Sequence, residues 1–342
     1  MKNIRSSNIY FIIFLFSQAF LFSEELKDPS WVYLKRASNF IEKKDFANAL
    51  SEVKKSRLRK INEDLDAYWE KINLDFPEKT RYELKKMMKE KEALLKVEGG
   101  FPQYHYIVAD IYANTDFLDE AEKEYRVALS QSENLDYPDQ ILEIQYKLAL
   151  LYNKKGNLYL EQMTYHEILK GFFSQKNNEY WERIRYNIRE DMSLNYVFKI
   201  YRIEGIKYLK ALYQLGVHEA LLQKQNESLF YLNLATIVWM TYYGTEIKKF
   251  VPEFQYEGPV DFINYIKNNR FSKYVNDDFI IDKLMFYIGY NLFINREYQI
   301  ASHYFKLSLI YAESTGRLVM IRDQINYLEN NKDHVLTYEE IL

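Results

Sequence analysis

Two His-Glu dipeptides are the parts of this chain that come closest to a recognisable reactive site. A zinc-binding H-E-x-x-H helix needs a second histidine four residues after the first, because imidazoles one turn apart can ligate one metal ion. His166-Glu167 is followed by Lys170 at that position, and His218-Glu219 is followed by Leu222. Since neither motif is complete, the sequence predicts no zinc site of this type.

Other motifs that carry chemistry are also missing from the sequence. The chain has no cysteine, which excludes thiolate metal sites, disulfides and a cysteine nucleophile. It contains no G-x-S-x-G nucleophile motif, no phosphate-binding P-loop and no dinucleotide-binding glycine motif. His105 and His303 fall within predicted helices, and His334 falls in a polar tail. We therefore expect a protein without enzymatic activity, metal or cofactor.

The composition favours helices joined by few turns as the elements that position any binding residues. Gly (10) and Pro (6) are scarce, whereas sheet-rich folds need many turns that contain them. Hydrophobic residues make up 48% and aromatic residues 17% of the chain, which is typical of a folded protein and not of a disordered one. The net charge of −3 gives no support for nucleic-acid binding.

The N-terminus has the pattern of an export signal. Lys2 and Arg5 precede an apolar stretch from Ile9 to Phe22, and cleavage is expected after Ala19 or Ser23. The apolar stretch is too short to cross a hydrocarbon core of about 30 Å comfortably as a helix. We expect a cleaved signal peptide and a periplasmic or envelope-associated protein. An uncleaved membrane anchor is the alternative.

A recurring pattern of small and aromatic residues occurs five times along the chain. In the first helix of each copy the small residue is Ala37, Ala109, Ala149, Gly216 or Gly289. The second helix continues with residues at helical spacing, such as Ala121, Tyr125 and Ala128 in the copy at 101–132. The copy at 141–172 departs from this pattern, because Glu161 stands where a small residue is expected.

This pattern resembles the tetratricopeptide repeat, which pairs a small residue and an aromatic in its first helix with two alanines and an aromatic in its second. The resemblance implies an all-α fold, a right-handed superhelical solenoid of antiparallel helix pairs. Three of the four gaps between the small residues are close to twice the family period of about 34 residues. Predicted helices without the signature occupy these gaps, at Leu65–Leu74, Thr80–Val97, Glu179–Phe198 and Ile200–Gln214.

The predicted organisation has five parts. They are a signal peptide (1–23), an N-terminal helical region with one weak repeat-like unit (24–100), two repeat-like units (101–172), degenerate helices with two further units (173–316), and a capping helix with a tail (317–342). Within the fourth part, residues 244–276 carry Pro252, Gly258 and Pro259 and are predicted to form a partly irregular insertion. The capping helix is predicted at Arg317–Leu328.

The resemblance also implies a concave binding surface, lined by first-helix side chains that are not used for stacking. The residues that map to this surface are Tyr106, Asp110, Asn114, Tyr146, Asn153, Lys154, Lys210, Tyr213, Phe286, Tyr290 and Phe293. The N-terminal members are mainly polar and the C-terminal members are aromatic, which suits a partner helix or an extended peptide. In the alternative interpretation, the aromatic members pack on a neighbouring helix or on the insertion.

The function that these observations favour is a non-enzymatic scaffold for protein–protein interactions. An exported array of this kind would bind protein partners during assembly of an envelope machine, such as a secretion, outer-membrane or flagellar-motor accessory complex. Self-association of the array is a further prediction about partners. The alternative function is a cell-wall-associated protein that binds or processes glycans through the aromatic groove.

Overall fold

The computed structural model describes residues 27–98, 101–190, 195–268, 281–315 and 317–331, and these residues form helices without any strand. The all-helical prediction is therefore confirmed for this part of the chain. Within the same ranges no helix is both long and apolar enough to span a membrane. The predicted signal peptide lies outside the described residues. The chain divides into two compact units between Ile144 and Gln145.

The described residues of the first unit form five helices and the beginning of a sixth. They are α1 (Ser30–Glu42), α2 (Phe46–Asp75), α3 (Arg81–Glu98), α4 (Pro102–Asn114), α5 (Leu118–Ser130) and α6 (Asp139–Lys154). Helix α6 continues across the boundary into the second unit. Helices α1 and α2 pack together as one pair, and α4 and α5 pack as another.

The described residues of the second unit are also helical. Its helices are α7 (Leu158–Phe173), α8 (Asn178–Glu190), α9 (Asn195–Ile200), α10 (Leu209–Leu221), α11 (Gln225–Lys248), α12 (Pro259–Asn268), α13 (Ile281–Ile294), α14 (Tyr298–Thr315) and α15 (Leu318–Asn330). Helices α10 and α11 form one closely packed pair, and α13 and α14 form another. Contacts from Tyr146 to Tyr165 and from Asn153 to Glu161 join α6 to α7.

The five small residues identified in the sequence are all buried, and two of them mark a close approach between the helices of their pair. Ala37, Ala109 and Ala149 have no exposed surface. A Cβ atom added to Gly216 would lie 2.6 Å from the Leu232 side chain, and one added to Gly289 would lie 2.7 Å from the Phe305 ring. The second helix supplies a buried residue twelve positions later in every pair: Ala49, Ala121, Glu161, Ser228 and Ala301.

All five pairs also share one turn geometry. The residue seven positions after the small residue has a left-handed backbone, with φ between 58° and 69°, and these residues are Lys44, Asp116, Gly156, Gln223 and Arg296. The next N–H donates to the carbonyl five residues earlier, at 2.8 to 3.0 Å, as from Asp45 to Phe40 and from Glu297 to Leu292. This is the Schellman end of a helix. The sequence signals it only at Gly156, because the other four residues are not glycine.

Two of the predicted additional helices have different boundaries, and residues 191–194 of the predicted helix Glu179–Phe198 lie outside the described residues. The predicted helix at Leu65–Leu74 is the distal half of α2, which runs without interruption to Asp75. The predicted helix at Ile200–Gln214 is wrong over residues 201–205, because Gly205 adopts φ 128° and a short 3-10 turn at Ile206–Tyr208 then leads into α10.

The insertion is more ordered than the sequence predicted. Helix α11 extends through residues 244–248, and residues 259–268 form α12, so the irregular part with described structure is 249–258. Phe254 and Phe262 are buried, with ring centroids 5.7 Å apart, and Trp239 of α11 lies 5.3 Å from Phe262. The insertion therefore packs an aromatic cluster onto α11. Residues 269–276 lie outside the described ranges.

A helix, α15, is present where the capping helix was predicted, and it begins one residue later and ends two residues later than predicted. It buries Ile321, Ile325 and Leu328. Just before it, the Arg317 guanidinium donates to both carboxylate oxygens of the fully buried Asp282, at 2.7 Å each. This bidentate pair connects the start of α15 to the first turn of α13.

The left-handed turns generate a prediction about stability. Gln223→Gly and Arg296→Gly should each raise the free energy of unfolding by about 1 kcal/mol, because glycine adopts positive φ without a steric penalty. Both side chains are exposed, so little packing is lost. Chemical denaturation of each variant measures the change. The matched control is Asn295→Gly, one residue before Arg296, which should destabilise the protein. A decrease in stability for Arg296→Gly would contradict the assignment.

Candidate functional site

The polar residues of α4 form a network within the first unit. The Tyr106 hydroxyl donates to Glu143 at the start of α6, and the Tyr125 hydroxyl of α5 donates to Asp110 at 2.5 Å. Asn114 donates to the Asp110 carbonyl at 2.8 Å. The structure therefore brings three of the predicted surface residues of α4 together, but it uses Tyr106 and Asp110 mainly to hold α4 against its neighbours.

Burial keeps the tyrosines of this network neutral. It raises the pKa of both Tyr106 and Tyr125 well above the ordinary value near 10, and the nearby Asp110 carboxylate raises it further. A neutral phenol can donate a hydrogen bond to a carboxylate, whereas a phenolate would repel it. The two hydroxyls therefore remain donors to Asp110 and Glu143 even at a pH at which an exposed tyrosine would ionise.

Tyr146 and Lys210 are brought together in the second unit. The Tyr146 hydroxyl donates to the Lys207 carbonyl at 2.7 Å and accepts from the Ala211 N–H at 3.3 Å. The Lys210 ammonium group lies 5.8 Å from the centre of the Tyr146 ring, within the range of a cation–π contact. Burial raises the pKa of Tyr146. This side chain thus connects α6 to the beginning of α10.

A buried polar cluster joins α6, α7 and α10. Asn153 donates to Glu161 at 3.0 Å, and Nε2 of His218 lies 3.5 Å from the same carboxylate oxygen. Glu161 is 1% exposed, although it occupies the position that holds alanine or serine in the other pairs. A buried carboxylate needs partners, and Asn153 and His218 supply them. The sequence marked Glu161 as an exception to the pattern but did not identify its partners.

One residue of each His-Glu dipeptide, His166 and Glu219, lies next to this cluster. Gln162 donates to the Glu219 carboxylate at 2.7 Å, and the Lys224 ammonium lies 3.2 Å from it. Burial lowers the pKa of His166, while the negative charge of Glu219 opposes that change. Within the described ranges, no three His, Cys, Asp or Glu side chains are placed to share a metal ion. The cluster is therefore a set of paired groups between helices.

The aromatic part of the predicted surface lies in the interior. Tyr213, Phe286, Tyr290 and Phe293 are between 1% and 6% exposed. Phe286 packs 5.8 Å from Phe305, and Tyr213 packs 6.2 Å from Tyr287. These positions favour the alternative interpretation, in which the aromatic side chains pack on neighbouring helices. They form the core of the α10, α11, α13 and α14 region.

Three members of the predicted set remain exposed: Asn114, Lys154 and Lys210. Asn114 lies at the end of α4, Lys154 at the end of α6 and Lys210 near the start of α10. Amide and ammonium groups of this kind can donate hydrogen bonds to backbone carbonyls or carboxylates of a bound segment. The exposed part of the predicted surface is therefore polar.

Comparison with known proteins gives no family for this chain. None of the models of protein families matches it, and no curated protein does.

The buried tyrosines generate a prediction about alkaline stability. Burial raises the pKa of Tyr231 from 10 to about 12. The stability that this neutral phenol contributes is fully present below pH 10 and is lost as the pH rises through about 12. By pH 11 the free energy of unfolding should fall by about 1 kcal/mol relative to pH 8 through this group alone.

Comparison of two variants isolates that contribution. In Tyr231→Phe the decrease between pH 8 and pH 11 should be smaller than in the wild type by about 1 kcal/mol. Tyr159→Phe is the control, because the Tyr159 side chain is 69% exposed, and it should leave the decrease unchanged. Denaturation followed by circular dichroism at each pH measures all three. Identical decreases in the wild type and Tyr231→Phe would contradict the prediction.

Proposed function

We propose that this protein is a non-enzymatic scaffold of the tetratricopeptide type that binds other proteins in the cell envelope. The observation that carries the proposal is the repetition of one helix pair five times, with the same close contact and the same left-handed turn. Repeated helix pairs that stack on one another form extended surfaces, and such surfaces are commonly used for protein binding. In this proposal the pairs stack as a right-handed superhelical solenoid.

The exposed polar residues are the proposed contacts to the partner. Lys154 and Lys210 come from the first helices of two pairs in the second unit, and Asn114 comes from a first helix in the first unit; the resemblance to the repeat family places partner contacts on first helices in each unit. Polar donors along such a surface suit an extended segment with free carbonyls and acidic side chains. A partner in a secretion, outer-membrane or flagellar-motor accessory complex would fit an exported scaffold.

Two sequence observations support the location that we propose. The basic and apolar pattern of residues 1–23 is typical of an export signal. The complete lack of cysteine fits a protein whose stability does not depend on the redox state of its compartment. The protein would then be periplasmic or attached to the envelope.

The glycan-binding alternative has lost its main support. It relied on an aromatic groove that includes Phe286 and Tyr290, and each of these side chains is 1% exposed. A sugar ring stacks on an open aromatic face, which these residues do not provide.

Site-specific photocrosslinking in the native cells tests the scaffold proposal. A photoreactive amino acid at Asn114, Lys154 or Lys210 should give adducts with one or a few defined proteins, because these positions would face the partner. The control position is Lys170, whose side chain is 73% exposed on the second helix of a pair. Adducts at Lys170 alone would place the partner elsewhere. If none of the four positions gives a protein adduct, the proposal is wrong.

A further inference from the structure

The distal half of α2 and helix α3 form an antiparallel hairpin in the first unit. The two helices are joined by residues 76–80 and pack together. The Lys91 ammonium lies 5.8 Å from the Tyr68 ring, and Arg57 donates to the Lys96 carbonyl at 3.0 Å, so positions advance along α3 as they go back along α2. Ile72 and Leu84 are the buried residues of the seam.

This hairpin buries little apolar surface for its length. Trp69, Met87 and Met88 are only partly buried, and Leu74, Tyr82 and Val97 are each at least 79% exposed. Two helices alone enclose one seam, whereas four helices enclose a core. The hairpin therefore leaves apolar side chains uncovered, as one half of a four-helix bundle would.

One side of the hairpin carries opposite charges on its two helices. Lys91 and Tyr68 mark one side of the seam, and the helical rotation places Trp69 and Met88 on the other side. On that second side Asp66 and Glu70 flank Trp69 on α2, while Lys85 and Lys89 flank Met88 on α3. The four charged side chains are exposed, and in the part of the chain that the structure describes they form no ion pair.

The charge difference extends over both helices. From Ile61 to Asp75, α2 has five acidic residues and one basic residue, a net charge of −4. Helix α3 has six basic and four acidic residues, a net charge of +2. A surface with an acidic and a basic stripe side by side is complementary to itself under a two-fold rotation, because each stripe then meets the opposite one.

We propose that this side of the hairpin binds the same side of a second copy of the chain, which gives a two-fold symmetric four-helix bundle. If the two-fold axis runs parallel to the helices, the rotation leaves every residue at the same position along that axis. Asp66 then lies opposite Lys89 of the second copy, and Glu70 lies opposite Lys85 of the second copy. Trp69 and Met88 become buried between the charged pairs, as a large aromatic anchor surrounded by polar contacts. The dimer forms through the hairpin alone and does not require that the chain bind other proteins.

Charge reversal followed by sedimentation equilibrium of the full chain tests the proposal. The wild type should be dimeric at micromolar concentration. The double variants Asp66→Lys/Glu70→Lys and Lys85→Glu/Lys89→Glu should each dimerise at least about 100-fold more weakly, because like charges then face each other. Combining all four changes should restore the dimer. Circular dichroism identifies any variant that fails to fold.

Disulfide formation between differently tagged chains locates the interface independently of other self-association. The chain has no cysteine, so each introduced thiol is unique. Asp66→Cys chains mixed with Lys89→Cys chains should form a mixed disulfide, because their positions are expected to face each other. Asp66→Cys with Val97→Cys is the control, since Val97 lies eight residues, or about 12 Å, further along α3. A monomeric wild type, dimers insensitive to charge reversal, or equal disulfide yields would each overturn the proposal.

Discussion

The close approach of two helices at one small residue is the constraint on which each repeated pair depends. At Gly216 and Gly289 even a methyl group would overlap the facing Leu232 and Phe305 side chains. The partner residue twelve positions later can face the small residue only if the turn has a fixed length and direction. The left-handed residue and its following N–H provide that turn in all five pairs. The close helix contact therefore requires this turn, and the turn in its place sets the register of the contact.

Once the register of a pair is fixed, so are the positions of its polar residues, and those that are buried need hydrogen-bond partners at these positions. Glu161 occupies a position that is buried in every pair, so Asn153 and His218 have to satisfy its carboxylate. Asp282 is fully buried at the start of α13 and is matched by the two donors of Arg317. Asn153 and His218 come from α6 and α10, and Arg317 directly precedes α15. Pairing of these groups therefore adds polar contacts to the packing between these elements.

The sequence predicted the pairs well because their signal is local and repeated. The small residues and their spacing were sufficient to locate five helix pairs with a buried small residue, including the pair of Ala149 with its exceptional Glu161. The turns could not be predicted in the same way. In four of the five turns a residue other than glycine has positive φ: Lys44, Asp116, Gln223 and Arg296. A sequence indicates this conformation only where it has glycine, and in these four turns the packing of the pair imposes it.

The predicted binding surface was only partly recovered, for a different physical reason. Whether a first-helix side chain faces solvent depends on which helices cover it, and helical spacing alone does not contain that information. Asn114 and Lys210 end up exposed. Phe286 and Tyr290 lie on α13, a helix that is buried over nearly its whole circumference, so their equivalent positions are interior. The sequence of α13 is apolar on all sides, and this pattern could have indicated that Phe286 and Tyr290 are buried.

The hairpin of α2 and α3 shows what happens when the constraint is absent. Its helices were predicted as a degenerate repeat, yet the connection at 76–80 has no residue with positive φ, and the large residues Ile72 and Leu84 occupy the seam. Bulky seam residues keep the helices further apart than an alanine or glycine contact does. The two helices of the hairpin then do not cover all of their own apolar side chains, and Trp69 remains partly exposed at the edge of the seam. An arm that continues α2 beyond its own pair and is left open in this way is suited to packing against another molecule.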